Sequence, residues 1–158
     1  MAATATQQII HNGARNLVVK YTIAGTSGET ADGVLVDASA LDATLVGDRL
    51  LRLDRVEWAL TGFTCKLSWD GEDVNTDLVE LPAGYGIQDF SDCGGIVNNV
   101  ANATGDVLFT TTGYSASGDG GSIILSFKKK NASINSFNVY PAAASMTLTG
   151  VLPTIAIA

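Results

Sequence analysis

Few residues in this chain have the type and spacing to do chemistry. His11 is the single histidine, and it sits in a small, polar N-terminal stretch beside Asn12-Gly13. A general base needs an ordered pocket and a partner that orients it, so an exposed or locally bonded imidazole is expected here. Cys65 and Cys93 stand in no CxxC arrangement; they read as two buried thiols or as one disulfide. Two Cys and one His cannot supply the four ligands of a structural zinc site. No G-x-S-x-G motif occurs, and no second histidine is available for a cysteine dyad. Asp70-Gly-Glu-Asp73 with Asp77 places carboxylates in a pattern that does not match the twelve-residue calcium loop with its terminal Glu, so a solvated acidic turn is expected. Gly113-Tyr-Ser-Ala-Ser-Gly-Asp-Gly-Gly121 is Gly-rich but lacks the Gly-Lys-Ser/Thr ending of a phosphate loop and reads as a flexible hairpin loop. Asn102-Ala-Thr and Asn131-Ala-Ser fit the glycosylation acceptor pattern. Lys128-Lys-Lys130 is too brief a basic run for a nucleic-acid footprint. No catalytic residue, metal site or cofactor is therefore expected, and the chain does not read as an enzyme.

The elements that would position these groups are strands. Leu17, Val19, Tyr21 and Ile23 alternate with more polar neighbours, the signature of a half-buried strand, and Gly33-Val-Leu-Val-Asp37 is a short second one. Asp37-Ala-Ser-Ala-Leu-Asp42 predicts a helical turn capped by Asp37 or Ser39. In Arg49–Leu60, Leu51 and Leu53 set one phase while Val56, Trp58 and Leu60 set the other. An inserted residue at Asp54-Arg55, a β-bulge, keeps both sets facing the core. Thr61-Gly62 predicts a tight turn into the alternating strand Phe63–Asp70, and Thr76–Leu81 is a further strand stopped by Pro82. Residues 83–105 read as loop. Asp106–Thr112 and Ser122–Lys128 read as two strands of a hairpin joined by the Gly118–Gly121 linker. The sum is all-β: an antiparallel β-sandwich, with a jelly roll as one arrangement of it. Residues 1–15 are expected as an extended N-terminal arm, 16–130 as the sandwich domain, and 131–158 as a tail that forms a final strand or an inter-subunit arm.

Composition restricts the partners. Of 158 residues, 46% are hydrophobic and 16% charged, against a usual charged share of roughly 25%. Lys plus Arg is 9 and Asp plus Glu is 16, giving a net charge of −7. That balance argues against nucleic acid and anionic membranes, both of which are bound through positive surface. No stretch reaches the roughly 20 apolar residues of a spanning helix, and the N-terminus has neither the basic nor the apolar region of a secretory signal. Every charged residue lies between Arg15 and Lys130, so the tail is uncharged. An apolar, uncharged segment needs a partner surface, and protein subunits, rather than small molecules, are the expected partners. The contact is expected at Ile9 and Ile10 in the arm and at Phe137, Val139, Tyr140, Met146 and Leu148 in the tail.

The string Gln8-Ile-Ile-His-Asn-Gly-Ala-Arg-Asn-Leu-Val-Val-Lys20 resembles the opening of a family of small virion proteins of tailed bacteriophages. Leu35–Leu41, Arg52–Trp58, the Trp69-Asp70 strand end, Asp89–Gly95, Val107–Thr112 and Ile123–Lys130 follow in that family's order, so the resemblance spans roughly residues 7 to 130. It implies a structural component of a virion, made in the host cytoplasm. The job that fits best is capsid decoration (a cement protein), binding the major capsid protein on the capsid exterior and copies of itself, commonly as a homotrimer. A neck, tail or baseplate component is the alternative within the virion. From another class, a carbohydrate- or receptor-binding module would use Trp58, Trp69 or Tyr85 as a stacking platform, although both tryptophans fall in phase with core faces.

Overall fold

The computed structural model describes residues 2–41, 51–99 and 102–129. They form two antiparallel sheets packed face to face. In chain order the strands are β1 (Thr4–Asn12), β2 (Asn16–Ala24), β3 (Gly33–Val36), β4 (Leu51–Thr61), β5 (Thr64–Gly71), β6 (Thr76–Leu81), β7 (Gly84–Asp89), β8 (Ile96–Val97), β9 (Ala103–Thr112) and β10 (Gly120–Lys129). One sheet runs β1-β2-β10-β4-β7, with the short β8 also on β4; the other runs β3-β9-β5-β6. Setting aside β1 and β8, the order 2-10-4-7 over 3-9-5-6 is that of a jelly roll, with eight strands in two four-stranded sheets.

The core is where the alternation put it. Leu17, Val19, Tyr21 and Ile23 of β2 are buried, as are Phe63, Cys65, Leu67 and Trp69 of β5. The bulge in β4 is present: β10 pairs Ser126 with Arg55 and Phe127 with Leu53, so Asp54 is the extra residue. Leu51, Leu53, Val56, Trp58 and Leu60 consequently all reach the core. The Asp37 turn also forms. Its carboxylate accepts the Ala40 N–H at 2.9 Å and the Ser39 hydroxyl at 2.7 Å, opening the single helical turn α1 (Ala38–Leu41).

Three expectations are corrected. The turns at Thr61-Gly62 and Gly113–Asp119 do not join hairpin partners: β4 and β5 lie in different sheets, and so do β9 and β10. Each is a corner where the chain crosses the sandwich, and Gly62 makes the first with a φ of 85°, a left-handed conformation that glycine adopts at little cost. Residues 83–105 are not mainly loop, since β7, a 3-10 turn at Ser91–Cys93, β8 and the start of β9 occupy them. The stretch before Asn16 is no separate arm, because β1 pairs with β2 from Thr4↔Ala24 to Asn12↔Leu17.

Candidate functional site

Several of the acidic groups are tied into the sandwich by hydrogen bonds and ion pairs. Thr104 donates to Asp70 at 2.7 Å, and Asp106 accepts the Ala38 N–H at 2.8 Å. Burial raises the Asp106 carboxyl, the Ala38 bond opposes this, and the charges of Asp37 and Asp70 add to the rise. Asp77 pairs with Lys66 at 3.0 Å on the surface. Among the described residues no three His, Cys, Asp or Glu side chains are grouped to hold a metal. His11 is exposed. The Gly-rich linker is an ordered corner: Asp119 accepts the N–H groups of Ser115 and Ala116, both at 2.8 Å. Tyr114 donates to the Asp119 carbonyl at 2.9 Å and meets Phe63 edge-on at 5.0 Å.

The cysteines are both free, and only one fits the buried-thiol expectation. Cys65 lies in the core, where burial pushes its thiol up to about 12. Cys93 is exposed, its thiol facing the Phe90 carbonyl at 3.1 Å.

What the surface offers instead is contact area. Ile9 and Ile10 stand 49% and 54% exposed on β1, an outermost strand of its sheet. Neighbouring residues of a regular strand point to opposite faces. Here the register shifts between Ile9↔Val19 and His11↔Val18, leaving Ile10 as an unpaired extra residue. Ile9 shares the face of buried Val19 yet keeps half its area in water, so the core-facing side of the sheet continues past the covered core. Gln7 on the same strand donates to the Tyr21 hydroxyl at 2.8 Å, which closes off that polar atom beneath the edge. Of the other expected contact residues, Phe137, Val139, Tyr140, Met146 and Leu148 lie outside the described residues.

A second surface lies across the same sheet. Tyr85 is 90% exposed and Ile87 59% exposed, on β7 opposite Ala59 and Glu57 of β4. With Ser122 and Ile124 of β10 they line an open depression of ≈ 220 Å³. That is below the roughly 300–1,000 Å³ of pockets that enclose small molecules. Trp58 and Trp69 are core residues, and the Trp58 indole donates to the Pro82 carbonyl at 3.0 Å. Ile87 was missed because residues 83–105 read as loop, although Tyr85-Gly86-Ile87 carries a two-residue alternation.

Charge is sorted between the sheets, which the net value conceals. The strands of the first sheet carry Lys20, Arg52, Arg55, Lys128 and Lys129 against Asp54, Glu57 and Asp89. Those of the second carry Lys66 against Asp70, Asp77, Glu80 and Asp106. On the first, Asp54 holds Lys128 at 3.0 Å and Arg52 at 3.3 Å; Arg55 holds Glu57 at 2.7 Å. The strands of the first sheet are thus net positive and those of the second net negative.

No family model and no curated protein matches the chain. Among solved structures, a cupin domain from Bordetella pertussis Tohama I aligns over 82% of this chain and 97% of its own, at 10% sequence identity and a TM-score of 0.33.

Proposed function

We propose that this protein is a non-enzymatic structural component of a bacteriophage virion: a decoration protein, assembled as a homotrimer, that binds the outer capsid lattice and reinforces contacts between major capsid subunits. The reading is supported by the whole-chain resemblance over residues 7 to 130. The observation that carries it is the β1 edge, a nine-residue strand with no charged side chain that leaves Ile9 and Ile10 half in water. An uncharged open edge that carries two exposed isoleucines is a place for a protein subunit. Many copies, each burying a modest area, hold a shell together through avidity rather than through any one tight contact. Jelly rolls serve viral capsids, lectins and cupins alike, so the fold alone assigns no task.

Copy number in purified virions tests the reading. Hundreds of copies per particle fit the capsid exterior. A dozen or fewer would move the protein to the neck, tail or baseplate, and absence from the particle would overturn the virion reading altogether. One observation favours a second reading: Tyr85 is the remaining stacking platform for a glycan, being 90% exposed. Glycan-array binding that disappears in Tyr85→Ala would support it, and an array without signal would remove it.

A further inference from the structure

Among the described residues, and apart from the two-residue β8, four strands end the two sheets, and an open sheet edge is a row of unpaired N–H and C=O groups that invites another strand. Three of the four are blunted. β3 is only four residues long. β6 carries Asp77 and Glu80 and runs into Pro82, while β7 follows that proline, is interrupted by Gly84 and Gly86, and ends at Asp89. Shortness, charge and proline are the ordinary means of preventing edge-to-edge association. β1 has none of these three: its nine residues read Thr-Ala-Thr-Gln-Gln-Ile-Ile-His-Asn, and its one edge device is the bulge at Ile10, which leaves Thr4–Ile9 as a regular open run. Among the described residues no strand pairs with its outer side.

The chain carries a segment suited to that edge. Ser145-Met-Thr-Leu-Thr-Gly150 alternates Met146 and Leu148 with Thr147 and Thr149, and nothing after Lys130 is charged. The last described residue, Lys129, lies beside the end of β1: its N–H donates to the Arg15 carbonyl at 2.7 Å and its ammonium to Asn12 Oδ1 at 2.5 Å. Residues 131–144 then span up to roughly 50 Å when extended. The geometry points to Ser145–Gly150 of a neighbouring copy as the strand that pairs with β1. Added there, Met146 and Leu148 would carry the core-facing side beyond Ile9, while the strand's backbone satisfies the open edge.

The choice of a neighbour over the chain's own tail rests on the trimer reading above. Donor and acceptor are different elements, so each copy can pass its strand to the next and close a ring where the rotation is three-fold, whereas reciprocal exchange between two copies would give a dimer. β1 pairing with its own copy would be two-fold and stop at a dimer.

The test uses the full-length chain with Cys93→Ser to remove the exposed thiol. Gln8→Cys on β1 is combined in turn with Ser145→Cys, Thr147→Cys and Thr149→Cys, and the proteins are mildly oxidised. A disulfide needs Cα atoms about 4.4–6.8 Å apart, so only adjacent strands cross-link. The expected result is covalent trimer on a non-reducing gel for at least one pair, lost in the same pair carrying Leu148→Asp. Hydrogen exchange on the unaltered protein should also show Thr4–Asn12 amides protected in the oligomer. Cross-links confined within single chains, or absent from all three pairs, overturn the proposal. Either result beside hundreds of copies per virion leaves the capsid reading standing, whereas absence from the virion overturns that reading whatever the cross-links show.

Discussion

Deleting Asp54 should cost far more than replacing it. The residue is the extra member of the β4 bulge, and its carboxylate forms ion pairs with Lys128 and Arg52 at 3.0 and 3.3 Å. Asp54→Ala removes those two ion pairs and keeps the bulge. With Lys128 and Arg52 partly in water, each pair contributes up to about 1 kcal/mol, so the substitution costs ~1–2 kcal/mol. Deletion also removes the bulge, and a one-residue slip turns every side chain on one side of it to the opposite face. The smaller apolar set gives way: Leu51 and Leu53, at most 1% exposed, turn outward. Fully burying a leucine is worth about 1.5–3 kcal/mol, so the pair forfeits ~3–6 kcal/mol, and Arg52 turns inward in exchange. That approaches the whole stability of an ordinary domain, roughly 5–15 kcal/mol. Urea unfolding followed by the fluorescence of Trp58 and Trp69 measures both variants. A deletion no more costly than Asp54→Ala would refute the bulge account.

Four further outcomes are expected. At pH 8 native protein should react with a disulfide reagent at one thiol per chain, Cys93, because burial holds Cys65 protonated with its value near 12; denaturant should expose the second. Gly86→Ala should cost about 1–3 kcal/mol in the same urea assay, since a Cβ there would overlap the Trp58 indole. Tyr85→Ala should leave stability within about 0.5 kcal/mol, its side chain being almost wholly in solvent. Asp106→Asn should stabilise at neutral pH. Burial and the neighbouring carboxylates raise the folded Asp106 carboxyl above its unfolded value, so ionisation penalises the fold as pH rises through that value. An asparagine Oδ1 can still accept the Ala38 N–H, and the midpoint advantage should vanish in acid, where Asp106 is protonated. A constant advantage at all pH values would contradict the assignment.

Residue alternation reports which face a strand buries, and there it read well. β2 and β5 were visible because every second residue is apolar, and the β4 bulge because two apolar phases collide at Asp54-Arg55. Turn chemistry reports only that the chain reverses. Gly62 and the Gly-rich linker signal turns, but which sheet receives the next strand depends on the packing of Leu60, Phe63 and Tyr114 across the sandwich. β7 was hidden because Gly86 is a packing glycine: the Trp58 ring occupies the room its side chain would need. β1 was hidden because its bulge breaks the alternation and its exposed edge removes the demand for an apolar face. Of the expected contact residues, Ile9 and Ile10 stand out in the sequence as apolar residues in a polar stretch, and both are exposed. Their place on an open edge was not, since pairing partners belong to topology rather than to local pattern.

The pairing of β2 with β10 has a consequence for synthesis. Ala24, at the end of β2, and Gly120, at the start of β10, are separated by about 95 residues of chain. At roughly 5–20 residues per second, the ribosome needs about 5–20 s to deliver the strand that sits between β2 and β4. Until then the β1–β2 hairpin has no neighbour on its inner edge, β4 has none on that side, and Leu17, Val19 and Val56 lack their cover from Leu125 and Phe127. Closure of the larger sheet is therefore a late event that reads out whether translation has passed Lys129, so a chain truncated before β10 would present open edges to the quality-control machinery instead of a closed sheet.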